Sequence, residues 1–213
     1  MTGAGFVHPA HDAAAETPRE YFRRFLGLNA PGLSDLNWYF DEAVPRFGDG
    51  ADVRLAVEEL IDQIGRIVGF DAQRDEADGY GVWASAGGSH LLVWALDGAM
   101  ALRQIGHAAR SRDRLLAEST VPAGADATCL FVLCGEVNRR LLDDTVALRR
   151  ASDQVRLISV ESLRVLAALV EGRVLTHDGA RLLLSPPSAF ADPMIALTTE
   201  AVGLRLAEGL REP

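Results

Sequence analysis

The chain has 213 residues, 48% of them apolar and 24% charged, a balance that supports a buried core and excludes wholesale disorder. Its net charge of −9, with a sequence pI near 5.0, opposes tight non-specific binding to nucleic acid, which needs many phosphates neutralised. All 21 basic residues are arginine, so no lysine can form a Schiff base or supply a catalytic ammonium.

Residues 1–15 are rich in Gly, Ala and His, show no periodicity, and are expected to form a loose tail. They carry neither the basic stretch nor the apolar core of an export signal. No apolar run approaches the roughly 20 residues that span a bilayer, so a cytoplasmic location and no membrane partner are expected.

Thr17-Pro18-Arg19-Glu20 predicts a helix start, with Thr17 as N-cap, proline in the first turn and Glu20 completing a capping box. Asn29-Ala30-Pro31-Gly32 breaks that helix, and Ser34-Asp35-Leu36 opens another that carries Trp38, Tyr39 and Phe40. Three successive aromatics cannot all point inward from one helix, so at least one is expected to reach a neighbouring domain or subunit. Gly48-Asp49-Gly50 ends this preface.

Val53, Val57, Leu60, Ile61, Ile64, Ile67 and Val68 recur at three- and four-residue steps and predict the clearest helix of the chain, stopped by Gly69. Arg54, Glu58, Asp62 and Arg66 fall on its other face. Strands are expected over 71–76, 80–85 and 90–96, with a turn at Gly87-Gly88. A helix over 100–118, a strand over 128–134, a helix over 136–152 and a strand over 155–160 follow. A helix capped by Ser159 runs to Glu171, and two more are expected around 179–184 and 193–210.

Cys129 and Cys134 lie five apart in one predicted strand, which points their side chains to opposite faces and predicts two free buried thiols. Strands alternating with helices predict an α/β fold, a mixed central sheet flanked by helices, with a helical N-terminal preface and C-terminal helices. Residues 1–50 form the tail and preface, 51–175 the α/β core and 176–213 a C-terminal helical extension, together one compact domain.

That order, from about Val53 to Glu171, resembles the restriction-endonuclease-like, or PD-(D/E)XK nuclease, superfamily. The stretch Val155-Arg156-Leu157-Ile158-Ser159-Val160-Glu161-Ser162-Leu163 is similar to the late strand-to-helix junction of several of its members. The resemblance implies a leading helix with an acid, a hairpin with an aspartate, and a buried strand with an acid-x-lysine pair. Glu58 or Glu59 matches the helix acid and Asp78 the hairpin aspartate. Trp94 stands in the slot of the second acid and Leu96 in that of the lysine. Two carboxylates would be needed to hold a magnesium-class ion, and a lysine to orient the water it activates. Tryptophan and leucine supply neither, and Asp78-Gly79 also reads as an ordinary turn pair.

The resemblance therefore implies a catalytically inactive relative, with no catalytic residue, no metal ligand and no cofactor. Its expected role is that of a structural or regulatory binding subunit, paired with a protein partner or with itself, in a DNA-processing or anti-phage defence assembly. One alternative is a magnesium-dependent nuclease with a migrated site at Glu59, Asp78 and Asp97, although Asp97 also reads as the N-cap of the helix that follows it. A second alternative is a non-catalytic nucleic-acid-binding module. Arg103, Arg110, Arg112, Arg114, Arg139 and Arg140 would line its groove, or else a protein interface, or else a solvated face balanced by neighbouring acids. His8, His11, His90, His107 and His177 show no metal-ligand spacing. Neither a phosphate-binding glycine loop nor a Gly-x-Ser-x-Gly nucleophile elbow is present.

Overall fold

Residues 16–30, 32–74, 79–97, 127–135, 155–185 and 190–209 are described by the computed structural model, 205–209 for their backbone alone. The tail over 1–15 and the helices expected over 100–118 and 136–152 lie outside the described residues.

The first helix, α1 (Pro18–Asn29), begins as its sequence predicts. Glu20 N–H donates to Thr17 Oγ1 at 3.2 Å, and Thr17 N–H donates to Glu20 Oε2 at 2.9 Å. The second, α2 (Leu33–Ala43), starts one residue before Ser34, with Gly32 as an N-cap that offers no side chain. Its cap is supplied from far along the chain, where Glu171 Oε1 accepts from Leu33 N–H at 3.0 Å. A 3-10 turn over Val44–Arg46 leads to α3 (Ala51–Val68), the long amphipathic helix. Gly69 ends it at φ +103°, a left-handed conformation that glycine adopts without steric penalty, and its N–H donates to Gly65 O and Arg66 O.

Five strands follow: β1 (Asp71–Arg74), β2 (Gly81–Ala84), β3 (His90–Asp97), β4 (Ala127–Cys134) and β5 (Val155–Ser159). They form one sheet in the order β1-β2-β3-β4-β5. The pairs β1/β2 and β2/β3 are antiparallel, while β3/β4 and β4/β5 are parallel, so the sheet is mixed. The β2–β3 turn closes through Ser85 N–H to Ser89 O and Gly88 N–H to Ser85 O. Three helices complete the described chain: α4 (Val160–Glu171), α5 (His177–Leu184) and α6 (Asp192–Gly209). Ser159 caps α4 by accepting from Ser162 N–H, and Thr176 caps α5 by accepting from Gly179 N–H.

Side-chain alternation assigns the two faces of the sheet. Trp83, Leu91, Val93, Ala95, Leu130, Val132, Cys134 and Ile158 point toward α3 and α4 and join one core with Leu60, Ile61, Ile64, Leu163 and Leu166. Leu92, Trp94, Leu96, Cys129, Phe131 and Leu133 point the other way and are also buried. This two-sided burial explains why β3 and β4 read as uninterrupted apolar runs. The two thiols are free, and they lie on opposite faces because five residues separate them.

One face of α3 departs from its sequence pattern. Glu58 and Asp62, on the side opposite the apolar stripe, are 5% and 0% exposed, because α1 and the β1–β2 hairpin cover them. Among the described residues no helix is long and apolar enough to cross a membrane.

Candidate functional site between helix α3 and the sheet

Three carboxylates within little more than one turn of α3, Glu58, Glu59 and Asp62, are the most buried acids of the described chain. Burying an anion is tolerable only where charge and hydrogen bonds replace its water. Here arginine does that for each. Asp62 accepts from Arg74 Nε at 2.7 Å and Nη2 at 3.1 Å, a two-pronged pair, and from the indole Nε1–H of Trp83 at 2.9 Å. Glu59 accepts from Arg23 Nε at 2.8 Å and Nη2 at 3.1 Å, and from Arg66 Nη1 at 3.2 Å. Glu58 accepts from Arg19 Nη2 at 2.8 Å and from Arg54 Nε at 3.1 Å.

Small residues make room for this cluster. A Cβ on Gly81 would fall 2.8 Å from Asp62 Oδ1 and 2.9 Å from Arg74 Nη2, and one on Gly65 would fall 2.6 Å from the Trp83 ring. The hydrogen bonds from Arg23 to Glu59, reinforced by the nearby Glu59, Asp62 and Glu20 charges, hold the Arg23 pKa above its ordinary value against partial burial. Burial opposes the charged form of Arg74, yet Asp62, Glu58 and Glu59 together outweigh it and raise its pKa.

Glu59 therefore lies on α3 with both of its oxygens taken by arginine. Trp94 and Leu96 point away from that helix, 7% and 1% exposed, so these two slots and the α3 acids lie on opposite faces. The Trp94 ring centroid is 5.1 Å from that of Tyr80 and 5.3 Å from that of Phe131. The β3 side chains turned toward the helices are Leu91, Val93, Ala95 and, at the strand end, Asp97. Asp78 and the arginines at 103, 110, 112, 114, 139 and 140 lie outside the described residues, as does His107.

Asp97 instead borders a cleft of about 380 Å³ with Phe47, Gly48, Ala51, Arg54 and Ala95. The cleft opens at the carboxyl end of β3, and open α/β sheets place their ligands at strand carboxyl ends. Cys134 pairs with Asp97 across β3 and β4, and its thiol is pushed up to about 12, first by burial and then by the Glu161, Asp97 and Glu58 carboxylates. Such a thiol is protonated and unreactive at neutral pH. No group of three or more His, Cys, Asp or Glu side chains converges to hold a metal ion among the described residues.

Two smaller polar clusters were not foreseen. Ser85 Oγ lies 3.1 Å from His177 Nε2, and His177 Nδ1 lies 3.0 Å from Val68 O, a nucleophile–base–orienter sequence in outline. Ser85 is 8% exposed, however, and already accepts from Gly87 N–H at 3.3 Å. With Phe70 edge-on to the imidazole, the trio ties α5 to the hairpin and to the end of α3. Asp192 makes a similar tie, accepting from Ser162 Oγ at 2.7 Å and from the Ser159 hydroxyl and N–H.

The interlocked arginines were legible only as a pattern. Arg19 and Arg23 are one turn apart on α1 and reach the adjacent acids Glu58 and Glu59 of α3, and the one-turn spacing of the two arginines is the signal that could have pointed to a shared target. No family model matches the chain, and neither does any curated protein or solved structure.

Proposed function

We propose that the chain is a catalytically inactive, restriction-endonuclease-like protein that works as a structural or regulatory binding subunit, in a DNA-processing or anti-phage defence assembly. The observation that carries this reading is the β3 strand beside α3. A metal-dependent nuclease needs an acid-x-lysine pair there, turned toward a free helix acid. On the α3 side the strand offers Val93 and Ala95, on the far side Trp94 and Leu96, and neither pair holds an acid or an amine. Glu59, the helix acid, has both oxygens committed to Arg23 and Arg66. The chain order of helix, antiparallel hairpin and parallel strands supports the likeness to the nuclease superfamily.

Calorimetric titration with magnesium and manganese, beside a cleavage assay on duplex and single-stranded DNA and RNA, tests the absence of catalysis. No saturable heat at millimolar metal and no cleavage are expected. Metal binding at millimolar or tighter affinity, lost in Asp97→Ala and Glu59→Gln together with cleavage, would establish the migrated nuclease instead. The binding role is tested by purifying the tagged chain from its native cell, where a stoichiometric protein partner is expected, and by light scattering, which would reveal a homodimer. A chain recovered alone and monomeric would contradict it.

A further inference from the structure

The faces of α1, α2 and α3 turned away from the sheet are not closed against one another. Phe22, Tyr39, Ala43, Val53 and Ala56, all half-buried, line a depression of about 270 Å³ floored by Leu60. A second depression, of about 460 Å³, adds Pro18, Tyr21 and Leu55. The two share Phe22, Asp52 and Ala56, so they form one continuous groove. It follows α3 from Asp52 to Leu60, about 12 Å at the helical rise, the length of two helical turns. Its walls are side chains of helices, a geometry that a further helix fills by setting its ridges into the groove.

The unpaired charges of the rim, among the described residues, have one sign. Glu42 and Asp52 border the groove, and neither has an ion-pair partner among the described residues. The rim arginine, Arg46, is bonded to Asp49 at 3.3 Å, and Glu16 is held by Arg24. A second copy docked through the same patch brings no unpaired positive charge to Glu42 and Asp52, because a two-fold interface pairs a surface with itself and its Arg46 is already held by Asp49. A partner with basic residues meets complementary charge.

We infer that this groove receives a short amphipathic helix of a partner protein, with apolar side chains against Phe22, Tyr39 and Ala56 and basic residues beside Glu42 and Asp52. The inference rests on the reading of the chain as a binding subunit and names the chemistry of what it binds. Metal titration decides whether the chain is a nuclease, and the peptide experiment below decides the groove, so each can fail alone.

The probe is a fluorescein-labelled helical peptide with leucines on one face and arginines on the other, compared with a twin in which glutamate replaces each arginine. Fluorescence anisotropy is read with the full chain and with Ala56→Arg and Glu42→Lys, each shown to be folded by its melting curve. The basic peptide is expected to bind saturably and the acidic twin about tenfold more weakly, with each substitution lowering affinity for the basic peptide about tenfold. No binding of the basic peptide, equal binding of both peptides, or unchanged binding by Ala56→Arg overturns the inference. So does a wild-type dimer that Ala56→Arg splits, which makes a second copy the occupant. Tighter peptide binding by Phe6→Ser/Val7→Ser also overturns it, by making the chain's own leading segment the occupant.

Discussion

Asp62 is the residue on which the buried cluster turns. Its two oxygens serve Arg74 and Trp83, and all three side chains are withdrawn from water. Asp62→Ala would leave the Arg74 guanidinium buried without its closest counter-charge, a change expected to destabilise the fold by about 3–5 kcal/mol. Adding Arg74→Met removes the stranded charge and fills the same space with an apolar chain. The double variant is expected to recover most of that loss, less about 1–2 kcal/mol for a Trp83 N–H left without an acceptor. Urea unfolding of the four proteins in the cycle measures this, and strictly additive losses would show that the pair does not act as a unit.

Cys134 gives a residue-scale prediction in pH. Its folded pKa is raised to about 12, whereas an unfolded thiol ionises near the usual value of about 8.5. The unfolded chain therefore loses its proton first. The thiol's contribution is full below about pH 8.5 and is lost as the pH climbs toward the folded value, by about 1.4 kcal/mol per pH unit. Between roughly pH 9 and 11 the wild type should lose stability more steeply than Cys134→Ala by that increment. Equal slopes in the two proteins would mean that the thiol is not held protonated by the fold.

At the scale of elements, what was legible in the sequence depended on whether an element's partners are local. The α1 capping box, the Gly69 stop and the Ser159 cap are contacts between residues a few positions apart, and each lies where the sequence places it. The strands β3, β4 and β5 were equally legible, because burial on both faces leaves an apolar run with no polar interruption. The polar side of α3 was not. A stripe of Arg54, Glu58, Asp62 and Arg66 marks the face opposite the apolar one, and that α1 and the β1–β2 hairpin lie over it is not written within α3. Nothing within α3 distinguishes an acid facing water from one facing an arginine on another element. The same limit applies to α2, whose cap comes from Glu171, and to the His177 tie between α5, the hairpin and α3. Of the three aromatics, at least one of which is expected to reach a neighbouring domain or subunit, Phe40 is fully buried, Tyr39 is half-buried at the groove, and Trp38 is 62% exposed.

At the scale of the whole molecule, the sheet as formed by the described residues offers little surface for a partner strand. The outer edge of β1 spans only the four residues Asp71–Arg74, with charged side chains at both ends, a composition that discourages edge pairing. The β5 edge is engaged by Phe190 and Ala191, whose N–H donates to Leu157 O at 2.9 Å. Helical surfaces remain for recognition, and the overall charge of −9 selects among partners. A polyanion approaching this chain meets net repulsion at long range, and only a strong local arginine patch could offset it. If protein binding is the role, duplex DNA and single-stranded RNA should show no saturable binding at physiological salt. Any binding seen at low salt should also be unaffected by the charge reversals Arg110→Glu and Arg112→Glu. A filter-binding or anisotropy titration at several salt concentrations checks this. Tight binding that weakens linearly with the logarithm of salt, and with either reversal, would move the chain to the nucleic-acid-binding class.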